Sequence, residues 1–157
     1  TDGNVQVAID AMRSALTPHN FLGMDPDGRV SVYRTTGNRY SHVVLRGGKS
    51  PNYDAESVAA CARALEKAGL RRKIVIDCSH GNSNKDHRRQ PAVFTAALKQ
   101  ARRGRCDIAG MMIESHLFEG NQPIPKDLES PSRLRYGVSV TDKCLGWEET
   151  ERLLLIG

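Results

Sequence analysis

Arg46, His80 and Glu114 are separated by equal intervals of 34 positions, and each follows a short apolar run: Val43-Val44-Leu45, Ile74-Val75-Ile76 and Met111-Met112-Ile113. That interval is about the length of one strand-plus-helix unit, so it predicts three side chains at matching heights on neighbouring parallel strands. A guanidinium, an imidazole and a carboxylate brought together suit a phosphate or carboxylate substrate beside a divalent cation. Imidazole with carboxylate suits Mn, Fe, Co or Zn. Arg46 precedes Gly47-Gly48, where the missing Cβ lets backbone approach a ligand while the guanidinium takes phosphate oxygens in pairs. Its expected role is substrate binding. Asp142, after Val138-Ser139-Val140-Thr141, could complete a metal shell or could instead cap the final helix. Taken singly, His80 could merely bond to its own loop and Glu114 to a lysine; the shared interval favours convergence.

Other polar groups divide between chemistry and packing. In the loop from Gly81 to Arg89, Lys85, Arg88 and Arg89 could grip an anion or could belong to a solvated turn. Cys78, two residues before His80, could be a nucleophile or a ligand, but a strand-end cysteine is expected to pack. Cys61, Cys78, Cys106 and Cys144 are widely spaced, without a C-x-x-C pair, which points to reduced thiols and a cytoplasmic chain.

The elements that must position these groups follow from periodicity. Ala8, Ala11, Met12 and Ala15 form a helical stripe ending before Pro18. Asn20 to Met24 and Arg29 to Arg34 flank Asp25-Pro26-Asp27-Gly28, a turn sequence, so a β-hairpin is expected there. His42 to Leu45, Lys73 to Ile76 and Ile108 to Ile113 read as buried strands. Between them, Asp54 caps a helix with Val58, Cys61, Ala62 and Leu65 on one face and Gly69 beyond its end. Pro91 opens another, carrying Phe94, Ala97, Leu98 and Ala101 and followed by Gly104. Strand, helix, strand, helix, strand implies βαβ units and a parallel sheet, with functional loops at the carboxyl ends of the strands. Arg71-Arg72-Lys73 and the cluster Arg102, Arg103 and Arg105 are read as compensating helix C-termini. A last helix runs from Glu148 to Ile156, its apolar Leu153-Leu154-Leu155 face lacking a partner. Three strands with two open edges bury too little, so the expectation is a fragment of a larger protein.

The chain has 157 residues, 39% apolar and 26% charged, with a net charge of +5 and a mean hydropathy of -0.48. No apolar stretch approaches the roughly 20 residues of a membrane-spanning helix, the N-terminal residues show no signal-peptide pattern, and no membrane partner is expected. The positive charge could serve solubility or an anionic ligand. Aromatic residues make up only 5%, and no zinc-finger spacing is present. Nucleic acid is therefore not the expected partner; small phosphorylated ligands fit better.

Several segments together resemble the type I 3-deoxy-D-arabino-heptulosonate 7-phosphate (DAHP) synthases. They are Leu45-Arg46-Gly47-Gly48-Lys49, Pro51-Asn52-Tyr53, Ile76-Asp77-Cys78-Ser79-His80-Gly81-Asn82-Ser83, Met112-Ile113-Glu114-Ser115, Glu119-Gly120-Asn121-Gln122 and Tyr136-Gly137-Val138-Ser139-Val140-Thr141-Asp142. The resemblance runs over essentially all of residues 1–157 and implies the C-terminal part of a single (β/α)8 barrel, with strands six to eight present and a hairpin over residues 20–36 inserted. It implies condensation of phosphoenolpyruvate with erythrose 4-phosphate, the first step of the shikimate pathway. By motif position, His80, Glu114 and Asp142 match metal ligands, with His80 the catalytic position through that metal. Arg46 matches an arginine that binds phosphoenolpyruvate. The family's fourth ligand, a cysteine, and further phosphate-binding residues come from its N-terminal half, so these residues alone are expected to be inactive. The resemblance also implies a homo-oligomer at full length and an aromatic amino acid effector at the hairpin, where Gly23 leans toward tyrosine. The segment from Pro123 to Arg133 is expected to be a variable loop. The rival reading is a non-catalytic phosphate-binding, regulatory or assembly module.

Overall fold

A computed structural model of the protein describes residues 4–104, 107–125 and 133–157. Cys106, Arg105 and residues 126–132 of the expected variable loop lie outside the described residues. The chain begins with helix α1 (Val5–Leu16), whose first turn is capped by Asn4 accepting from the amides of Gln6 and Val7. Its inward face keeps Ala8 and Met12 of the predicted stripe but not Ala11 and Ala15. Ile9 and Met12 are buried and Val5 and Ala8 pack beside them, while Ala11 and Ala15 are exposed. Alanine loses little by facing water, so the larger Ile9 and Val5 decide which side turns inward.

Strands β1 (Asn20–Met24) and β2 (Val30–Arg34) form an antiparallel hairpin in which Phe21 faces Tyr33 and Gly23 faces Ser31. Asp25 makes the turn by accepting on Oδ1 from the amides of Asp27 and Arg29, and Gly28 takes the left-handed conformation, φ 77°, that closes it. The Phe21 and Tyr33 rings stack 5.5 Å apart.

The main sheet contains β3 (Val43–Leu45), β4 (Ile74–Asp77) and β5 (Ile108–Met112), all parallel, with β4 central. Helix α2 (Ala55–Lys67) connects the first pair and α3 (Gln90–Arg102) the second. Val58, Cys61, Ala62 and Leu65 of α2 are all buried, as their spacing predicts. They meet Val43, Leu45, Ile74 and Ile76 from one face of the sheet, with Val93, Phe94, Ala97 and Leu98 of α3 joining the same core. Strand alternation sends Val44, Val75 and Asp77 to the opposite face, which no helix among the described residues covers. Consequently β5 is not the buried strand expected: Met112 is 42% exposed and its neighbours only partly covered.

Helix α4 (Trp147–Ile156) buries Leu153 in the core and leaves Leu154 and Leu155 exposed. Its N-cap is Gly146, so Asp142 is not a helix cap. Of the basic clusters, Arg102 lies in the last turn of α3 and Arg103 at its C-cap, as expected. Arg72 lies beyond α2 and bonds to Glu66 and Asp107, whereas Arg102 donates to the carbonyls of Ile156 and Gly157 at the end of α4. Free carbonyls at the end of a neighbouring helix attract a guanidinium as strongly as those of its own.

Asp54 caps α2 by accepting from the amides of Glu56 and Ser57 and from the Ser57 hydroxyl, bonds that hold its carboxyl below the ordinary value of 3.8. Asp54→Ala should cost about 1 kcal/mol at neutral pH. Because the folded-state pKa is depressed, that contribution is complete above the unfolded value and disappears as acid carries the pH down through the folded one. Urea unfolding midpoints of the two proteins should differ at pH 7 and converge in strong acid.

Candidate active site

The carboxyl ends of β3 and β4 are held together by one amide side chain. Asn82, buried in the short 3-10 turn His80–Ser83, donates through Nδ2 to the carbonyls of Leu45 (2.9 Å) and Asp77 (2.8 Å). Its Oδ1 accepts from the Asn52 amide at 2.8 Å, and Asn52 Oδ1 accepts in turn from the Gly47 amide at 2.8 Å. The backbone after β3 is thereby folded against the backbone after β4. A Cβ at Gly47 would stand 2.5 Å from the Gly81 carbonyl carbon, and Gly47 has φ 74°. Only glycine fits this crossing.

Above that junction, Arg46, His80, Glu114 and Asp142 line one cavity of about 350 Å³, together with Ser79, Lys85, Asn121 and Lys143. His80 Nε2 lies 3.5 Å from Glu114 Oε1 and 3.8 Å from Asp142 Oδ2. One ligand atom from each residue falls within 4.8 Å of the others. An imidazole nitrogen and two carboxylate oxygens this close make a donor set for a divalent cation of the Mn to Zn series, so the residues present fit a metal. The two carboxylates repel each other, and a cation between them relieves that repulsion.

The route to this convergence is not the simple one that equal spacing suggests. In the sheet Leu45 pairs with Ile76 and Asp77 with Met112, which sets Arg46 level with Asp77 rather than with His80. His80 stands three residues further on, at the left-handed φ of 47°, and the turn brings its ring back over the strand ends. Neither bland alternative describes these side chains. His80 Nδ1 lies 2.8 Å from Asp77 Oδ2, and Glu114 Oε2 accepts from the Ser79 hydroxyl at 2.6 Å.

Asp77, Ser79 and Gln90 join the site without having been expected from spacing or residue type. Gln90, fully buried at the start of α3, receives the Glu114 amide on Oε1 at 2.8 Å and donates through Nε2 to the Glu114 carbonyl at 3.1 Å. A polar residue at the end of the apolar run Ile74-Val75-Ile76 is the available sign for Asp77; nothing local marks Gln90. Of the three loop cations, only Lys85 lines the cavity. Arg88 donates to Glu119 at 2.9 Å, joined by His87 Nε2 at 2.8 Å, and these two partners hold the Glu119 carboxyl below its ordinary value. Arg89 occupies the N-cap position of α3. Cys78 is wholly buried, and burial pushes its thiol up to about 12, so it packs rather than reacts. Cys61, Cys78 and Cys144 are free thiols.

Comparison with known proteins adds a consistent set of findings. A model of the DAHP synthetase I family matches residues 2–155. The Tyr-sensitive phospho-2-dehydro-3-deoxyheptonate aldolase of Salmonella typhimurium is 52% identical over 98% of this chain and 42% of its own length. The Trp-sensitive enzyme of Enterobacter agglomerans is 49% identical over 99% of this chain and 44% of its own. The structure of phospho-2-dehydro-3-deoxyheptonate aldolase from Francisella tularensis SCHU S4 matches with a TM-score of 0.90 at 46% identity, over 99% of this chain and 44% of that one. The chain thus spans less than half the length of these relatives.

Gly47→Ala should destabilise the protein by at least about 1 kcal/mol, the cost of a left-handed alanine before the clash with Gly81 is counted. Thermal or urea unfolding measures it. Gly28→Ala in the open hairpin turn, where an added Cβ would meet nothing within 4 Å, should cost less.

Proposed function

This chain belongs to the DAHP synthetase I family, and on that premise we propose that it is the C-terminal part of a (β/α)8 barrel that condenses phosphoenolpyruvate with erythrose 4-phosphate and water to give DAHP and phosphate. The observation that carries the reading is the meeting of His80, Glu114 and Asp142 beside Arg46 in one cavity. A non-catalytic module would leave that constellation without a use.

In this reading His80, Glu114 and Asp142 hold a divalent metal, which supplies Lewis acidity to the aldehyde oxygen of erythrose 4-phosphate. Arg46 holds phosphoenolpyruvate by charge-assisted hydrogen bonds to its oxygens, with the backbone at Gly47 fixed by Asn52 so that the guanidinium is presented from a rigid base. Holding one substrate in place turns a bimolecular encounter into a fixed geometry. C3 of phosphoenolpyruvate then bonds to the aldehyde carbon, water adds at C2, and phosphate leaves with cleavage of the carbon-oxygen bond. Lys85 and Lys143, at the cavity wall, add positive charge where two phosphorylated substrates must approach each other.

The hairpin of residues 20–36, an insertion in the barrel plan, contributes to the site of an aromatic amino acid effector, with tyrosine the proposed one. The support is the Phe21–Tyr33 stack beside Gly23, together with relatives named Tyr-sensitive and Trp-sensitive. Full-length assembly is proposed to be homo-oligomeric. No helix among the described residues is long and apolar enough to cross a membrane; a cytoplasmic location accords with the free thiols.

In an enzyme that supplies the rest of the relatives' length, His80→Ala or Glu114→Gln should abolish metal-dependent consumption of phosphoenolpyruvate, followed by its ultraviolet absorbance. Turnover at the unsubstituted rate in either variant rejects the ligand assignment. The 157-residue chain alone should form no product.

A further inference from the structure

Asp77 is 2% exposed and ends β4 on the sheet face that carries the site. Its two oxygens have different partners. Oδ1 accepts from the Ser79 amide at 2.8 Å, and Oδ2 faces His80 Nδ1 at 2.8 Å. An ionised carboxylate has only lone pairs to offer, so the ring nitrogen facing it must carry the proton. Nε2 of the neutral ring is then the nitrogen left with a lone pair, and it is Nε2 that points toward Glu114 Oε1 and Asp142 Oδ2. The same carboxylate braces the turn on which His80 adopts φ 47°, a left-handed conformation that a non-glycine residue holds only under such constraint.

We infer that Asp77 is the positioning residue of this site: by accepting from Nδ1–H it selects the His80 tautomer whose Nε2 lone pair faces the two carboxylates. The inference deepens the metal-binding reading and rests on it for its use, though not for its geometry. Glu114 is prepared in a parallel way, because the Ser79 hydroxyl engages Oε2 and leaves Oε1 toward Nε2. The partner that orients a metal-bound imidazole commonly matters about as much as this: its loss weakens metal binding by roughly 10- to 100-fold.

The isosteric change Asp77→Asn separates orientation from mere bracing of the turn. The Ser79 amide still needs an acceptor and draws the asparagine oxygen to itself. The asparagine NH2 must then face His80 Nδ1, and a donor there forces Nδ1 to become the acceptor and moves the ring proton to Nε2. The turn keeps its hydrogen bond while the tautomer inverts.

The experiment uses an enzyme that supplies the rest of the relatives' length; it reads the His80 ring by nitrogen-15 NMR in the metal-free, histidine-labelled protein and titrates Zn²⁺ alone by calorimetry. The expected result is Nδ1–H in the unsubstituted protein, Nε2–H in Asp77→Asn, and roughly 10- to 100-fold weaker zinc binding in the variant. An Nε2–H ring in the unsubstituted protein overturns the inference, as does an Asp77→Asn variant with tautomer and zinc affinity unchanged. Should the variant fail to fold, the tautomer of the unsubstituted protein decides by itself. If that protein binds no zinc yet shows the expected tautomers, the metal reading falls and the role of Asp77 stands.

Discussion

The site depends on the Asn82 side chain more than on any ligand residue. Strands β3 and β4 stop pairing at Leu45 and Ile76, and from there the carbonyls of Leu45 and Asp77 need donors that the ladder between them no longer supplies. Asn82 supplies both from one NH2 group, and its oxygen holds the Asn52 amide. Being buried, these bonds cannot be exchanged for water without cost, so removing the side chain would strand several polar groups together. Arg46, set by the segment after β3, and His80, set by the turn after β4, are spaced correctly because this one amide fixes the distance between the two loops.

Around that junction the structure separates support from chemistry by sheet face. Ile74 and Ile76 face the helices, whereas Val75 and Asp77 face the other way. The helix side supplies hydrophobic burial; the open side supplies polar groups with fixed directions. Strain is placed on the second side as well, in the left-handed His80, Asn84 and Lys85. Such conformations persist where surrounding bonds over-determine them, and here Asp77, Asn82 and the Lys85 amide, which donates to the His80 carbonyl at 2.8 Å, do so.

Local pattern is enough to read much of this. The inward face of α2 emerges residue for residue from its spacing, and the hairpin from its turn. The face of α1 is misread from spacing at Ala11 and Ala15, because small alanines imitate an apolar stripe without burying much area. The exposure of β5 is hidden because a strand at the edge of the described sheet and a central strand can share the same composition. Arg46, His80, Glu114 and Asp142 do share a cavity, yet the equal spacing explains it only loosely, since the register offsets His80 and a turn restores it. Ser79 and Gln90 act on Glu114 from 35 and 24 positions away, distances at which single-sequence periodicity carries no information.

Gln90 has a consequence beyond the site. By giving and receiving a hydrogen bond with the same residue, its side-chain amide treats Glu114 as a β-ladder would treat the next rung. The Glu114 amide is therefore coupled to the first turn of α3, whereas its carbonyl also accepts from the Leu145 amide. Hydrogen exchange at the Glu114 amide should accordingly follow the opening rate of a helix rather than that of a loop.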